Sequence, residues 1–123
     1  MLKVHARNLG NVAMLSLQGR IVNGETASLR NAVNSQTEVS TVVLDLARVS
    51  AVDARGLGVM LELRAQAESK GMRFKLINVS KLVKSILEIT RLDSVFEVTS
   101  SAELLTVVAR ARRATTMELA RCA

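Results

Sequence analysis

The sequence predicts an α/β fold: a mixed, mainly parallel sheet of four to five strands flanked by four helices. Two observations carry this prediction. Segments with apolar strand patterns alternate with segments whose apolar residues recur at helical spacing, in the order β-β-α-β-α-β-α-β-α. The chain has 123 residues, of which 49% are apolar, which suffices for one core. We therefore expect one main domain over residues 1–109, followed by a basic segment, 110–123.

The first two strands are predicted to form a hairpin. Apolar and polar residues alternate over 2–7, which is typical of a half-exposed strand, and a nearly continuous apolar run follows at 12–17. Between them, residues 8–11 are rich in turn formers. The alternation places His5 on the polar face of an edge strand. This position favours a solvated surface residue over a ligand or a base.

The remaining segments predict β–α units with a parallel sheet. Asn23 is predicted to cap the first helix, with Glu25 in its first turn. Ser100 and Glu103 form a capping-box signature for the last helix. The predicted strands lie at 42–46, 74–77 and 95–98, and the other predicted helices lie at 54–70 and around 82–87.

The glycine-punctuated turn at 53–58 is the most informative feature of the chain. Asp53 is placed to cap the helix that follows, and Gly56 and Gly58 permit the close approach of another backbone. Arg55 puts a permanent positive charge at a helix start, where the helix dipole favours anions. Together with the turn at 23–25, this turn is expected to form an exposed surface at the carboxyl ends of parallel strands. The predicted partner-binding residues are Asn23, Gly24, Glu25, Asp53, Ala54, Arg55, Gly56, Leu57 and Gly58. Gly56→Trp is expected to abolish binding and to leave thermal stability nearly unchanged.

Signals for catalysis, cofactors and metals are nearly absent from the sequence. It contains no phosphate loop, dinucleotide fingerprint, zinc-ligand spacing or nucleophile elbow. Asp45 lies in an apolar strand, and hydrogen bonding to amides near the strand end is a better interpretation than a catalytic role. Cys122 is the single cysteine and can form no internal disulfide. We predict no enzymatic activity, no cofactor and no metal site.

The net charge of +6 raises the question of a polyanionic partner. Residues 1–109 hold 13 Lys/Arg against 10 Asp/Glu, whereas residues 110–123 hold four against one, so half of the excess lies in the tail. Phe74 and Phe96 are the only aromatic residues, too few for a stacking platform on single strands. We interpret the tail as a solvated helix end, with weak electrostatic contact to a polyanion as the alternative, and predict no specific nucleic acid partner. The sequence also shows no membrane-span run and no signal-peptide block, so a cytoplasmic protein without membrane insertion is expected.

Several blocks of the sequence together resemble a known family. The turn at 53–58 after the run 44–49 is similar to that of the STAS domain of anti-sigma factor antagonists, which typically has Asp-Ser-Ser-Gly-Leu-Gly there. The resemblance covers about residues 2–109 with order and spacing preserved. Further matching positions are Leu17-Gln18-Gly19-Arg20-Ile21, Gly24, Thr26, Leu29-Arg30, Phe74 to Asn78, Val83, Ile86, Leu87, Leu92 and Phe96.

The resemblance implies a binding function with a phosphorylation switch. Such a domain binds an anti-sigma factor, often a serine kinase, and displaces the sigma factor it holds; phosphorylation of a serine in the turn ends the binding. This sequence departs from that pattern, since Arg55 stands at the usual phosphoacceptor position and Ala54 precedes it. Neither can accept a phosphate. Ser50 lies nearby, but it is expected to face inward and is not assigned as an acceptor.

Two functional hypotheses follow from the sequence. The first is an anti-sigma factor antagonist that is not gated by phosphorylation at this turn. The second is a structural STAS module, either a scaffold in a stress-signalling assembly or an accessory subunit of a membrane transport complex. An enzyme or nucleotide-binding protein is a third hypothesis, which no group of residues supports. The oligomeric state stays open, a homodimer included.

Overall fold

A computed structural model describes residues 2–100 and 102–106 of the chain. It shows an α/β fold with a five-stranded mixed sheet, as predicted. The elements in chain order are β1 (Lys3–Leu9), β2 (Val12–Ile21), α1 (Ala27–Asn34), β3 (Thr41–Val52), α2 (Ala54–Ser69), β4 (Arg73–Ile77), α3 (Lys81–Ile89), β5 (Glu97–Val98) and a helical segment at 102–106, α4.

The strands lie in the sheet in their chain order, β1-β2-β3-β4-β5. β1 and β2 form the predicted hairpin, in which Leu9 pairs with Val12 across the turn. β2, β3, β4 and β5 run parallel to one another. Each parallel pair is joined through a helix, so the chain returns to the same end of the sheet after every strand.

Side chains from both faces of the sheet form the core. The main cluster packs one face against α1, α2 and α3, and it contains Val42 and Leu44 of the central strand. Val43, between them, points to the other face and packs with Leu104 of α4 in a smaller cluster. The predicted cap of α4 is confirmed, since the Glu103 amide donates to Ser100 Oγ at 3.1 Å.

β3 extends six residues beyond its predicted end at 46. Only Thr41–Asp45 of β3 pairs with β4, whereas the far end of β3 pairs with the end of β2, Ile21 opposite Val52. Two register shifts accompany this pairing, between Ser16 and Gln18 and between Gly19 and Arg20 of β2, and each places one extra residue in β3. We call the paired segments 19–21 and 49–52 the β2–β3 ribbon. At this side of the sheet, the ribbon extends past the start of β1 and the end of β4. The turns at 23–25 and 53–58 lie at the end of the ribbon.

The first helix begins later than predicted. α1 starts at Ala27 with Thr26 at the N-cap position, where no side chain bonds the helix amides. Asn23 is not the cap, because it lies before Thr26 and outside the helix; its backbone amide donates to the Asp53 carboxylate, and the Glu25 backbone amide closes a turn onto the Val22 carbonyl. Residues 23–25 therefore form a separate turn.

The last strand is shorter than predicted. β5 covers Glu97–Val98, because the amides of Val95 and Phe96 bond to the Leu92 carbonyl and form a turn. The basic segment 110–123 lies outside the described residues, so the division at 109 stays a prediction. No helix of the described residues is long and apolar enough to cross a membrane.

Candidate partner-binding site

Asp53 begins α2 in the way the sequence predicts. β3 ends at Val52, and Asp53 keeps an extended backbone while its Oδ1 accepts a hydrogen bond from the Gly56 amide at 2.7 Å. This bond satisfies one of the free amides at the helix start. The direction of the chain at residues 54 and 55 is therefore fixed by a cap.

The same carboxylate joins the two predicted turns. Asp53 Oδ2 accepts a hydrogen bond from the Asn23 amide at 2.9 Å, across 30 residues of sequence. The hydrogen bonds from the Asn23 and Gly56 amides hold the pKa of Asp53 below its ordinary value, because they stabilise the charged form. The turn at 23–25 and the start of α2 are thus one surface, which we call the docking surface.

Gly56 fits closely against β2 of the same chain. A Cβ atom built at Gly56 would lie 1.8 Å from the carbonyl oxygen of Ile21 and 2.7 Å from its carbonyl carbon. The prediction that Gly56→Trp leaves stability nearly unchanged is therefore wrong, since any side chain here collides with the ribbon. At Gly58 a Cβ would meet nothing within 4 Å, so the close approach predicted there does not occur.

The predicted site residues separate into exposed and buried groups. Gly56 and Leu57 are buried under the ribbon and face the core. Glu25 and Asp53 are half-buried, and Arg20 pairs with Glu25 at 3.6 Å. The exposed members, which can contact a partner directly, are Asn23, Gly24, Ala54, Arg55 and Gly58.

A shallow groove of about 320 Å³ runs along the docking surface between α1 and α2. It contains residues that the sequence analysis did not select, and an ion pair of 2.9 Å between Arg30 Nη1 and Glu62 Oε2 spans it. Helical spacing in the sequence could have identified some of the lining residues, because Arg55, Val59 and Glu62 share one face of α2. The groove is lined by Asn23, Thr26, Arg30, Arg55, Gly58, Val59 and Glu62.

Arg55 is the free cation of this groove among the residues that the structure describes. Its side chain is exposed and makes no hydrogen bond or ion pair with them. The guanidinium offers planar N–H donors that suit a carboxylate. Arg55 is therefore available to an acidic group of another molecule.

The other candidate residues lie elsewhere. Ser50 does not face inward as predicted; it is exposed on β3 and its hydroxyl donates to the Gly19 carbonyl at 3.3 Å. Asp45 accepts hydrogen bonds from the Ala47 backbone amide and the Asn78 side-chain amide, both at 3.0 Å, so it bonds amides as interpreted, but Ala47 lies within β3 rather than at the strand end. His5 is exposed on the edge strand. Within 2–100 and 102–106, no group of three acidic, histidine or cysteine side chains is arranged to hold a metal.

Several solved structures have a fold similar to that of this chain. The chain is similar to an anti-sigma factor antagonist from Mycobacterium paratuberculosis, with 20% identity and a TM-score of 0.69 over 89% of this chain and 95% of that one. The unphosphorylated anti-sigma factor antagonist SpoIIAA, whose phosphorylated form is known from Bacillus, matches with 19% identity and a TM-score of 0.69 over 87% and 96%. A sulfate transporter family protein from Wolinella succinogenes matches with 18% identity and a TM-score of 0.71 over 84% and 88%.

Two further matches are one solved structure and one family model. A protein named Mglu is 30% identical, with a TM-score of 0.54, but the match covers 58% of this chain and only 18% of that protein. The family model described as "Mlab, STAS domain" matches residues 4–106, which is most of the sequence. The resemblance found in the sequence is thereby confirmed: the chain belongs to the STAS domain family.

Proposed function

We propose that this STAS domain is an anti-sigma factor antagonist, which binds an anti-sigma factor in the cytoplasm and so frees a sigma factor. The observation that carries the proposal is the bridge made by Asp53, which joins two turns into one exposed surface at the carboxyl ends of parallel strands. The fold shared with two anti-sigma factor antagonists supports it. The function is binding, and none of its steps is catalytic.

Binding at this surface is not gated by phosphorylation of the turn. Positions 54 and 55 hold alanine and arginine, so neither can accept a phosphate. Arginine does not imitate the modified state either, because it carries +1 where a phosphoserine carries about −1.5 to −2. The docking surface is therefore permanently competent, and Arg55 offers it an unpaired positive charge among the described residues. A serine-kinase anti-sigma factor with an acidic contact surface is the partner that fits it.

Charge reversal at Arg55 is expected to weaken binding of the cognate anti-sigma factor about tenfold or more, because attraction becomes repulsion. Stability is expected to hold, since the exposed side chain has no partner among the described residues and glutamate suits a helix start. Titration calorimetry with Arg55→Glu measures the effect. Arg48→Glu, the same reversal at an exposed position outside the groove, is the control. Equal affinities for the wild type and both variants would place the partner on another surface.

The prediction that the turn cannot be phosphorylated is tested by incubation with an anti-sigma kinase and ATP, followed by mass spectrometry. The wild type is expected to gain no phosphate in the turn, and Arg55→Ser is expected to become phosphorylated there. Phosphate on wild-type Ser50, with a loss of binding, would contradict an ungated docking surface.

A second candidate function is a structural STAS module, as a scaffold or an accessory subunit of a membrane transport complex. The likeness in fold to a sulfate transporter family protein and the absence of a hydroxyl at 54 and 55 favour it. Affinity purification from the native cell distinguishes the two. Recovery of an anti-sigma factor supports the first function, and recovery of a transport ATPase or a large homomeric assembly supports the second.

A further inference from the structure

β1 forms one edge of the sheet. It pairs with β2 alone, so alternate backbone N–H and C=O groups of β1 point away from the sheet. Within the described chain, Lys3–Leu9 makes no hydrogen bond outside the β1–β2 ladder. Ser28 Oγ donates to the Leu2 carbonyl, just before the strand begins. The backbone from Val4 onward can therefore pair with a further strand.

One face of this edge strand carries basic side chains. Lys3, His5 and Arg7 alternate along β1, so they point to the same side of the sheet, and all three are exposed. We call them the β1 basic row. Their cross-strand partners on β2 are Gln18, Ser16 and Met14, none of which is charged. Lys3 and Arg7 form no ion pair with any described residue. The positive charge of the row is therefore not neutralised by its neighbours.

The charges decide what can pair with this edge. A second copy of the chain, added antiparallel through its own β1, would bring two basic rows face to face, and like charges on opposing strands destabilise pairing. The segment 110–123 has four arginines and one glutamate, so the same repulsion between like charges disfavours its pairing with β1. A strand with acidic side chains at alternate positions meets the basic row with opposite charges and satisfies the free backbone groups.

We propose that β1 is a second interaction surface, which accepts an extended segment of a partner protein with acidic residues at alternate positions. Backbone hydrogen bonds hold the segment in register, and Lys3 and Arg7 select for its charge. This surface is separate from the docking surface, whose residues belong to the turns that precede α1 and α2.

The proposal is tested with the full chain and a capped peptide as long as β1, in which glutamate and valine alternate. We expect binding that weakens with salt, and slower hydrogen exchange at alternate amides of β1. The double variant Lys3→Glu/Arg7→Glu is expected to bind the peptide about tenfold more weakly or worse. The matched control, Lys81→Glu/Lys84→Glu on α3, changes the net charge equally and is expected to bind as the wild type does.

Two further probes separate strand addition from simple charge attraction. In one variant peptide the backbone amides at odd positions are N-methylated, and in a second variant those at even positions are. Only one of these two sets of N–H donors faces β1 in an added strand, so we expect one variant to lose binding and the other to keep it. Equal binding by both would overturn strand addition. Binding of phosphatidylglycerol vesicles that depends on Lys3 and Arg7, without peptide binding, would make the row a membrane contact and overturn the proposal. If neither the peptide nor the vesicles bound, the charges of the β1 basic row would serve only to prevent unwanted strand pairing at this edge. That result would overturn the proposal as well.

Discussion

Gly56→Ala is expected to destabilise the fold by about 3 kcal/mol, at the upper end of the usual cost of overpacking. The added Cβ would lie 1.8 Å from the Ile21 carbonyl oxygen, so either the ribbon or the start of α2 must move. The obstructing atoms are backbone, which cannot rotate away as a side-chain end can. Thermal denaturation followed by circular dichroism measures the effect, with a fall in Tm of roughly 10 °C.

Gly58→Ala is the matched control two residues further along α2. Nothing lies within 4 Å of a Cβ there, and alanine is favoured over glycine inside a helix by about 1 kcal/mol. We therefore expect Gly58→Ala to keep or raise the Tm. If both variants unfolded at the same temperature, the close approach of Gly56 to Ile21 would have no energetic consequence.

Asp53→Ala is expected to cause the second largest loss, and to disturb binding as well as folding. The variant removes the N-cap of α2 and also the bond to the Asn23 amide, which holds the two turns together. Ser80→Ala is a suitable comparison, because Ser80 caps α3 through a single bond to the Val83 amide. The Tm of Asp53→Ala should fall below that of Ser80→Ala. Titration with the anti-sigma factor should show weaker binding for Asp53→Ala only.

The contribution of Asp53 should also depend on pH. Its pKa in the folded state lies below the ordinary value of 3.8, so its carboxylate stabilises the fold fully above that value. The contribution is lost as the pH falls through the lowered pKa, where the folded state also becomes protonated. We expect the stability difference between the wild type and Asp53→Asn to be constant from neutral pH down to about 5 and to shrink below 3.8. A difference that grows on acidification would contradict this role.

The order of the elements could be predicted from the sequence, whereas one long strand could not. Local patterns suffice for the type and order of the elements, the hairpin and the cap by Asp53, because each depends on neighbouring residues. The far end of β3 contains Arg48 and Ser50, both exposed, and therefore resembles a loop. Its pairing with β2 needs two extra residues in β3 and a partner strand some thirty residues away in the sequence, which no local pattern reveals.

The geometry of the candidate site could be predicted at the level of its two turns and less well at the level of single residues, and its role in partner binding stays a prediction. Gly56 and Gly58 occupy similar local sequence, and only the proximity of Ile21 distinguishes the structural glycine from the exposed one. Asparagine is a common helix-cap residue. The backbone amide of Asn23 instead donates to Asp53, so a tertiary contact overrides the local preference. The pairing of Arg30 with Glu62 likewise needs the packing of α1 against α2.

The side chain at position 55 contributes nothing visible to the architecture around it. Asp53 and Gly56 set the course of the main chain on either side, and the exposed Arg55 side chain lines the groove between α1 and α2 without a hydrogen bond or ion pair to the described residues. We therefore expect a substitution at position 55 to change the charge that this surface presents to a partner, at little cost in folding stability.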